Sequence, residues 1–228
     1  MFATINSKFR LALVSIGIAS LASCGGGGDS AAPTAAVSPP PAGPPAAPTT
    51  APITAVTPLP ALSAKPTILS TLTTLGIPNW PKGDTASGGQ GKPVAGLTCA
   101  SSEAYHVHSH LTILKDGQPL AIPADIGIVP GCTYDLHTHD MTGIIHVESP
   151  APARFTLGQF FAVWGQPLSA SKVAGLIGQP INVYINDAAG FRQYIGDPGE
   201  IELTAHREIT FVIGKAPSEI PTFTWDLY

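Results

Sequence analysis

Residues 104–114 read AYHVHSHLTIL, with apolar and polar side chains alternating along them. Tyr105, Val107, Leu111 and Ile113 fall on one side of an extended chain; His106, His108, His110 and Thr112 fall on the other. Successive side chains of a strand point to opposite faces, so a period of two marks a strand with one face in a core. The polar face here is a row of three imidazoles, in a chain that holds 7 histidines.

Outward from that strand the pattern continues. KDGQP (115–119) supplies an Asp116-Gly117 turn of the kind that closes hairpins, and LAIPADIGIV (120–129) continues extended. CTYDLHTH (132–139) and GIIHVES (143–149) predict two strands around DMTG, and INVYIND (181–187), RQYIG (192–196), EIELTA (200–205) and REITFVIG (207–214) predict four more. FTLGQFFAVWG (155–165) is the clearest helix. Thr156 stands as N-cap with Gln159 three residues on, a capping box, and Leu157, Phe160, Phe161 and Trp164 make an apolar stripe that belongs in a core. PTILSTLTTLGIP (66–78) places Ile68, Leu69, Leu72 and Leu75 at helical spacing between Pro66 and Gly76, which predicts a short helix. SASKVAGLIG (169–178) predicts a further helical turn or two, and NWPKGDTASGGQGKP (79–93) a loop. Strands dominate and short turns join neighbours, so the sheet is expected to be largely antiparallel. The expected fold is a β-rich α+β domain over 65–228, a sandwich or small barrel with one or two short helices, large enough for one core.

The histidines carry the chemistry. His106, His108 and His110 share a face, as do His137 and His139. If residues 140–143 close a hairpin with Met141 and Thr142 at its tip, His137 faces His146, His139 faces Ile144 and Asp135 faces Glu148. Opposed side chains project to the same side of the sheet, so His137, His139 and His146 converge on a three-nitrogen site with an open position. A three-residue loop would send His146 to the other face. The HVHSH strand brings three further imidazoles, enough for four or more ligands or for two neighbouring sites. Clustered imidazoles repel when charged and lose hydration when neutral, and a divalent cation removes both penalties. Structural and pH-sensing roles are the alternatives. His206 has no sequence partner and is expected at the surface or behind the ligands. Neutral imidazole suits copper and zinc. A blue-copper centre lacks its thiolate, and calcium lacks its carboxylates. Glu148, Asp140 and Glu103 are the candidate bases if the metal serves catalysis, hydrolytic or oxidative. No GxSxG, HExxH or P-loop occurs, and GGQGK (88–92) lacks the GK[ST] setting.

The N-terminus reads as an export signal: Lys8 and Arg10, an apolar run from Leu11, then small residues. LASC (21–24) resembles the lipobox of bacterial lipoproteins. That resemblance implies cleavage before Cys24, a diacylglycerol on its thiol, and loss of residues 1–23. Gly25 in place of Asp implies the outer membrane in a Gram-negative host. Losing Lys8 and Arg10 and no acid leaves nine bases against 15 acids, a net charge near −6. With no basic patch, no nucleic-acid partner is expected. Residues 25–64, rich in Pro, Ala, Gly and Thr, cannot bury enough apolar surface to fold and read as a tether. Cys99 and Cys132 then remain as an even pair in an exported domain, expected to form a disulfide worth roughly 3–4 kcal/mol; two thiolate ligands are the competing reading. HVHSHLTILKDGQPLAIPADIGI (106–128), LHTHDMTGIIHVESP (136–150) and FTLGQFFAVWGQPL (155–168) resemble His-rich segments of exported prokaryotic proteins of no established activity. The resemblance implies a recurring domain and brings no reaction. Three functions follow as expectations: an envelope metal-binding protein for copper or zinc, a metalloenzyme at the same site, or a pH-responsive module binding an envelope protein partner.

Overall fold

The structure, a computed structural model, describes residues 58–70, 73–83, 88–99 and 103–226. The expected signal peptide, the lipidated Cys24 and most of the tether lie outside the described residues. In chain order β1 (Ala61–Leu62), β2 (Thr67–Ile68) and β3 (Ile77–Pro78) lead to β4 (Tyr105–Lys115) and β5 (Gln118–Ala121). β6 (Ile128–Val129), β7 (Cys132–Thr133) and β8 (Leu136–His137) precede β9 (Ile144–Ser149) and helix α1 (Leu157–Trp164). There follow β10 (Leu168–Ser169), β11 (Lys172–Val173), β12 (Ile181–Asn186), β13 (Arg192–Tyr194), β14 (Glu208–Ile213), β15 (Glu219–Ile220) and β16 (Phe223–Thr224).

The domain is β-rich α+β, and its main sheet runs β13-β12-β14-β4-β5-β3, with β9 and β8 added beside β4. β4 is the long axis strand of 11 residues. Its residue Ile113 pairs with both Phe211 of β14 and Leu120 of β5, and His110 pairs with both Glu208 of β14 and Ile144 of β9. β14 therefore takes one edge of β4, while β9 and β5 share the other end to end. Pairing is mostly antiparallel, as expected; β4 with β14 and β3 with β5 are parallel exceptions. The sheet is open among the described residues, so the sandwich-like alternative holds and the small barrel does not.

Alternation along β4 does what its pattern predicts. Leu111 and Ile113 join Ile145 and Val147 of β9, Leu136 of β8 and Ile209, Phe211 and Ile213 of β14 in one core, which α1 covers with Leu157, Phe160, Phe161 and Trp164. Thr156 caps that helix, accepting from Gln159 N–H while the Gln159 side chain accepts from Thr156 N–H, and Gly165 ends it at φ 74. The left-handed φ at Gly165 is one that side chains resist. Histidine and carboxylate side chains are left on the opposite face of the sheet.

Three expectations are corrected. Residues 66–78 form no helix among those described. Ile68 is 66% exposed beside Leu69 at 1%, the in–out alternation of an extended chain, and β2 pairs with β16. Threonines at 67, 73 and 74 stiffen χ1 and favour that outcome. Residues 169–178 make a two-residue hairpin instead of helical turns, with Ala174 and Gly175 at positive φ. EIELTA contributes a 3₁₀ turn at Pro198–Glu200 and a single bridge from Glu202 to Thr156 in place of a strand. Pairing also starts within the stretch assigned to the tether: β1 lies parallel to β15, and Leu62 packs against a smaller cluster of Leu114, Tyr184, Val212 and Ile220. The disulfide expected between Cys99 and Cys132 is formed.

Candidate metal centre

The register puts three histidines in one row. β9 lies between β4 and β8, and His146 pairs with His108 on one side and His137 on the other. The hairpin pairing of His137 with His146 is the one the two-residue tip predicts. Strands are spaced about 4.8 Å apart, so three imidazoles across three strands meet at their rings. In the next row His106 of β4 pairs with Glu148 of β9. Asp135 lies beside it, its carbonyl accepting Glu148 N–H at 2.8 Å. The ladder of β8 stops at His137, so His139 does not pair with Ile144. From the turn its ring still reaches the site, 4.4 Å from that of His146 and 4.7 Å from that of His137.

Ring nitrogens and one carboxylate oxygen converge. His106 Nε2 stands 2.9 Å from His108 Nε2 and 3.4 Å from His146 Nδ1, and His108 Nε2 stands 3.1 Å from His146 Nδ1. His137 Nε2 is 3.2 Å from His139 Nε2. Glu148 Oε1 lies 3.1 Å from His106 Nε2, 3.3 Å from His146 Nδ1 and 3.5 Å from His137 Nε2. Ligands held at about 2.0–2.1 Å from one cation stand about 2.9–3.4 Å apart at the edges of an octahedron or tetrahedron. The spacings of this cluster are those of a coordination shell. Three overlapping groups could hold a metal ion: His137, His139, His146 and Glu148 in one, His106, His108 and His146 in the second, and Glu103, His106 and Glu148 in the third.

Two of the imidazoles are oriented from behind. His137 Nδ1 donates to the Tyr134 carbonyl at 2.9 Å, which leaves Nε2 as a lone pair aimed into the cluster. His106 Nδ1 faces Glu103 Oε1 at 2.7 Å, so a carboxylate holds its outer nitrogen. A partner on the outer nitrogen is how proteins fix metal-binding histidines. Burial and then the neighbouring imidazoles hold His146 down to about 2 and His108 to about 4, against an ordinary value near 6.5. Burial likewise lowers His137 to about 4, opposed by its bond to Tyr134. At neutral pH these rings are uncharged, the form that ligates. Burial raises the Glu148 carboxyl, and His106 opposes the rise.

His110 does not join them. It is 1% exposed, its Nε2 donates to the Thr142 carbonyl at 2.7 Å, and Thr112 Oγ1 lies 3.4 Å from its Nδ1. Phe223 covers the ring at 3.7 Å between centroids. Burial lowers it to about 4, so it is a neutral structural residue with both nitrogens engaged. His206 is exposed, stacks on Trp225 at 4.8 Å and donates its backbone N–H to the His108 carbonyl, placing it behind the ligand row. Of the candidate bases, Asp140 accepts from Thr142 N–H and Oγ1–H and shapes the turn, Glu103 supports His106, and Glu148 sits among the nitrogens. The place of Glu148 on the same face as His146 was legible from their i+2 offset. The Tyr134 carbonyl was not, because a backbone group leaves no mark in a sequence.

No family model, curated protein or solved structure matches this chain.

Proposed function

We propose that the chain is a lipid-anchored cell-envelope protein that binds copper or zinc through His137, His139 and His146 with Glu148, assisted by His106 and His108. The observation that carries this reading is the set of ring nitrogens and one carboxylate oxygen spaced 2.9–3.5 Å apart, a group of side chains that could hold one metal ion. His137 Nε2, its tautomer set by Tyr134, points a lone pair at a carboxylate, and a cation between them turns that repulsion into two bonds. Five imidazoles and no thiolate at the site favour copper or zinc over calcium or magnesium. The paired state of Cys99 and Cys132 removes the thiolate alternative.

Binding is favoured over catalysis because each candidate base already has a role: Asp140 in the turn, Glu103 behind His106, Glu148 in the ligand set. Anchoring through Cys24 rests on LASC and the apolar run before it. It would hold the domain on a tether at the membrane, with an envelope protein as the partner that gives or takes the metal.

Elemental analysis of protein purified without an affinity tag tests this reading. Copper or zinc is expected at stoichiometric level, lost in His137→Ala and reduced in His139→Ala, whose exposed side chain does not support the core. Full metal content in both variants, with the fold intact, would contradict it.

A further inference from the structure

Glu148 Oε1 lies between two ring nitrogens whose imidazoles are held independently. On one side is His137 Nε2 at 3.5 Å, its other nitrogen held by the Tyr134 carbonyl; on the other is His106 Nε2 at 3.1 Å, its other nitrogen facing Glu103. A single cation among His137, His139, His146 and Glu148 relieves the first contact. It leaves His106 Nε2 facing the same carboxylate, with His108 Nε2 only 2.9 Å away. His108 and His106 are also the residues of the second ligand group, which meets the first at His146.

The geometry points to two cation positions, one on each side of a bridging Glu148. The inner position uses His137, His139 and His146. The outer position uses His106 and His108, with Glu103 beside them, its Oε1 2.7 Å from His106 Nδ1 and its carboxylate grouped with His106 and Glu148. Carboxylate-bridged pairs of cations about 3.5–4 Å apart are a known arrangement, and the shared negative charge offsets much of their repulsion. The outer position has fewer protein ligands and lies where the His106 and Glu103 side chains are 36% and 56% exposed, so it fills second and more weakly. This inference rests on the metal-binding reading above and adds stoichiometry and order to it.

Titration of metal-free, untagged protein with Zn(II) against a chromophoric chelator separates the outcomes. Two equivalents are expected, the second at least about tenfold weaker than the first. Loss of an outer support of this kind costs about 10–100-fold in metal affinity, so Glu103→Ala should weaken the second step by that factor. His106→Ala should abolish the second step, and Glu103→Ala should leave the first within about threefold. His137→Ala should damage the first step instead. Both His106 and Glu103 have exposed side chains, His106 on β4 and Glu103 just before it, so folding is not at stake in either change. One equivalent at saturation in the unaltered chain would overturn the second position, as would a His106→Ala variant whose first step weakens as much as that of His137→Ala. Absence of any Zn(II) or Cu(II) binding would instead remove the metal-binding reading itself.

Discussion

His110 and His137 are each 1% exposed, lie on the same face of one sheet and do opposite work. What separates them is the inner nitrogen: that of His110 donates to the Thr142 carbonyl, while that of His137 faces Glu148 and His139. His110→Ala should therefore destabilise the fold by about 2–4 kcal/mol, through a cavity and an orphaned carbonyl, and leave metal affinity within a few-fold. Denaturant unfolding and a Zn(II) titration on the same sample check both halves; loss of metal with unchanged stability would contradict the assignment. Sequence alternation put both residues on the correct face and could not tell them apart, because the partners are backbone carbonyls and a distant Phe223. Proton linkage belongs to this scale as well. His108 and His137 lie near 4 and His146 near 2 in the folded chain, all below the ordinary value near 6.5. An unfolded chain takes up protons on these rings that the folded chain refuses, so their contribution is present above about pH 6.5 and is lost as pH falls toward 4. The metal-free protein should show a lower urea midpoint at about pH 5 than at about pH 7; an equal or higher one would contradict the burial assigned to these rings.

At the scale of elements, one predicted helix formed and another did not. Residues 155–165 carry a cap, a stripe and a terminating glycine, all of which agree, and Phe160 is fully buried between sheet and helix. Phe160→Ala should cost about 3–5 kcal/mol, read as a shift in denaturant midpoint; a cost below about 1 kcal/mol would mean the helix is not seated on the core as described. Residues 66–78 carry only the spacing. Threonine-rich and bounded by Pro66 and Pro78, that segment pairs its extended backbone with β16 and β5. Spacing alone was a weak guide because tertiary pairing outweighs the few tenths of a kcal/mol by which such residues differ in helix propensity. The register of β8 against β9 was legible at His137 and His146, while the expected pairing of His139 with Ile144 did not form. Its junction with β4, which brings His108 to His146, had no local signal.

On the scale of the whole molecule, the sheet sorts side chains into an apolar face under α1 and an imidazole face opposite. The Cys99–Cys132 disulfide ties the chain before β4 to the chain before β8, the two strands that flank His146. Closing that loop stabilises by roughly 3–4 kcal/mol on the chain-entropy account. Tyr134 bridges to Cys99 through the backbone and holds His137, so the covalent link and the histidine row share one support. β-rich class and antiparallel bias were readable from period and turn length. The parallel pairing of β4 with β14 was not, because it joins strands about a hundred residues apart through a crossover that no local pattern encodes. The central claim is that neighbouring strands aim these imidazoles at a common cation. X-ray absorption at the metal edge of the zinc- or copper-loaded, untagged protein tests it most directly. Three or more imidazole nitrogens at about 2.0–2.1 Å are predicted, with fewer in His137→Ala. A shell of oxygen ligands alone, or one unchanged in that variant, would contradict the account.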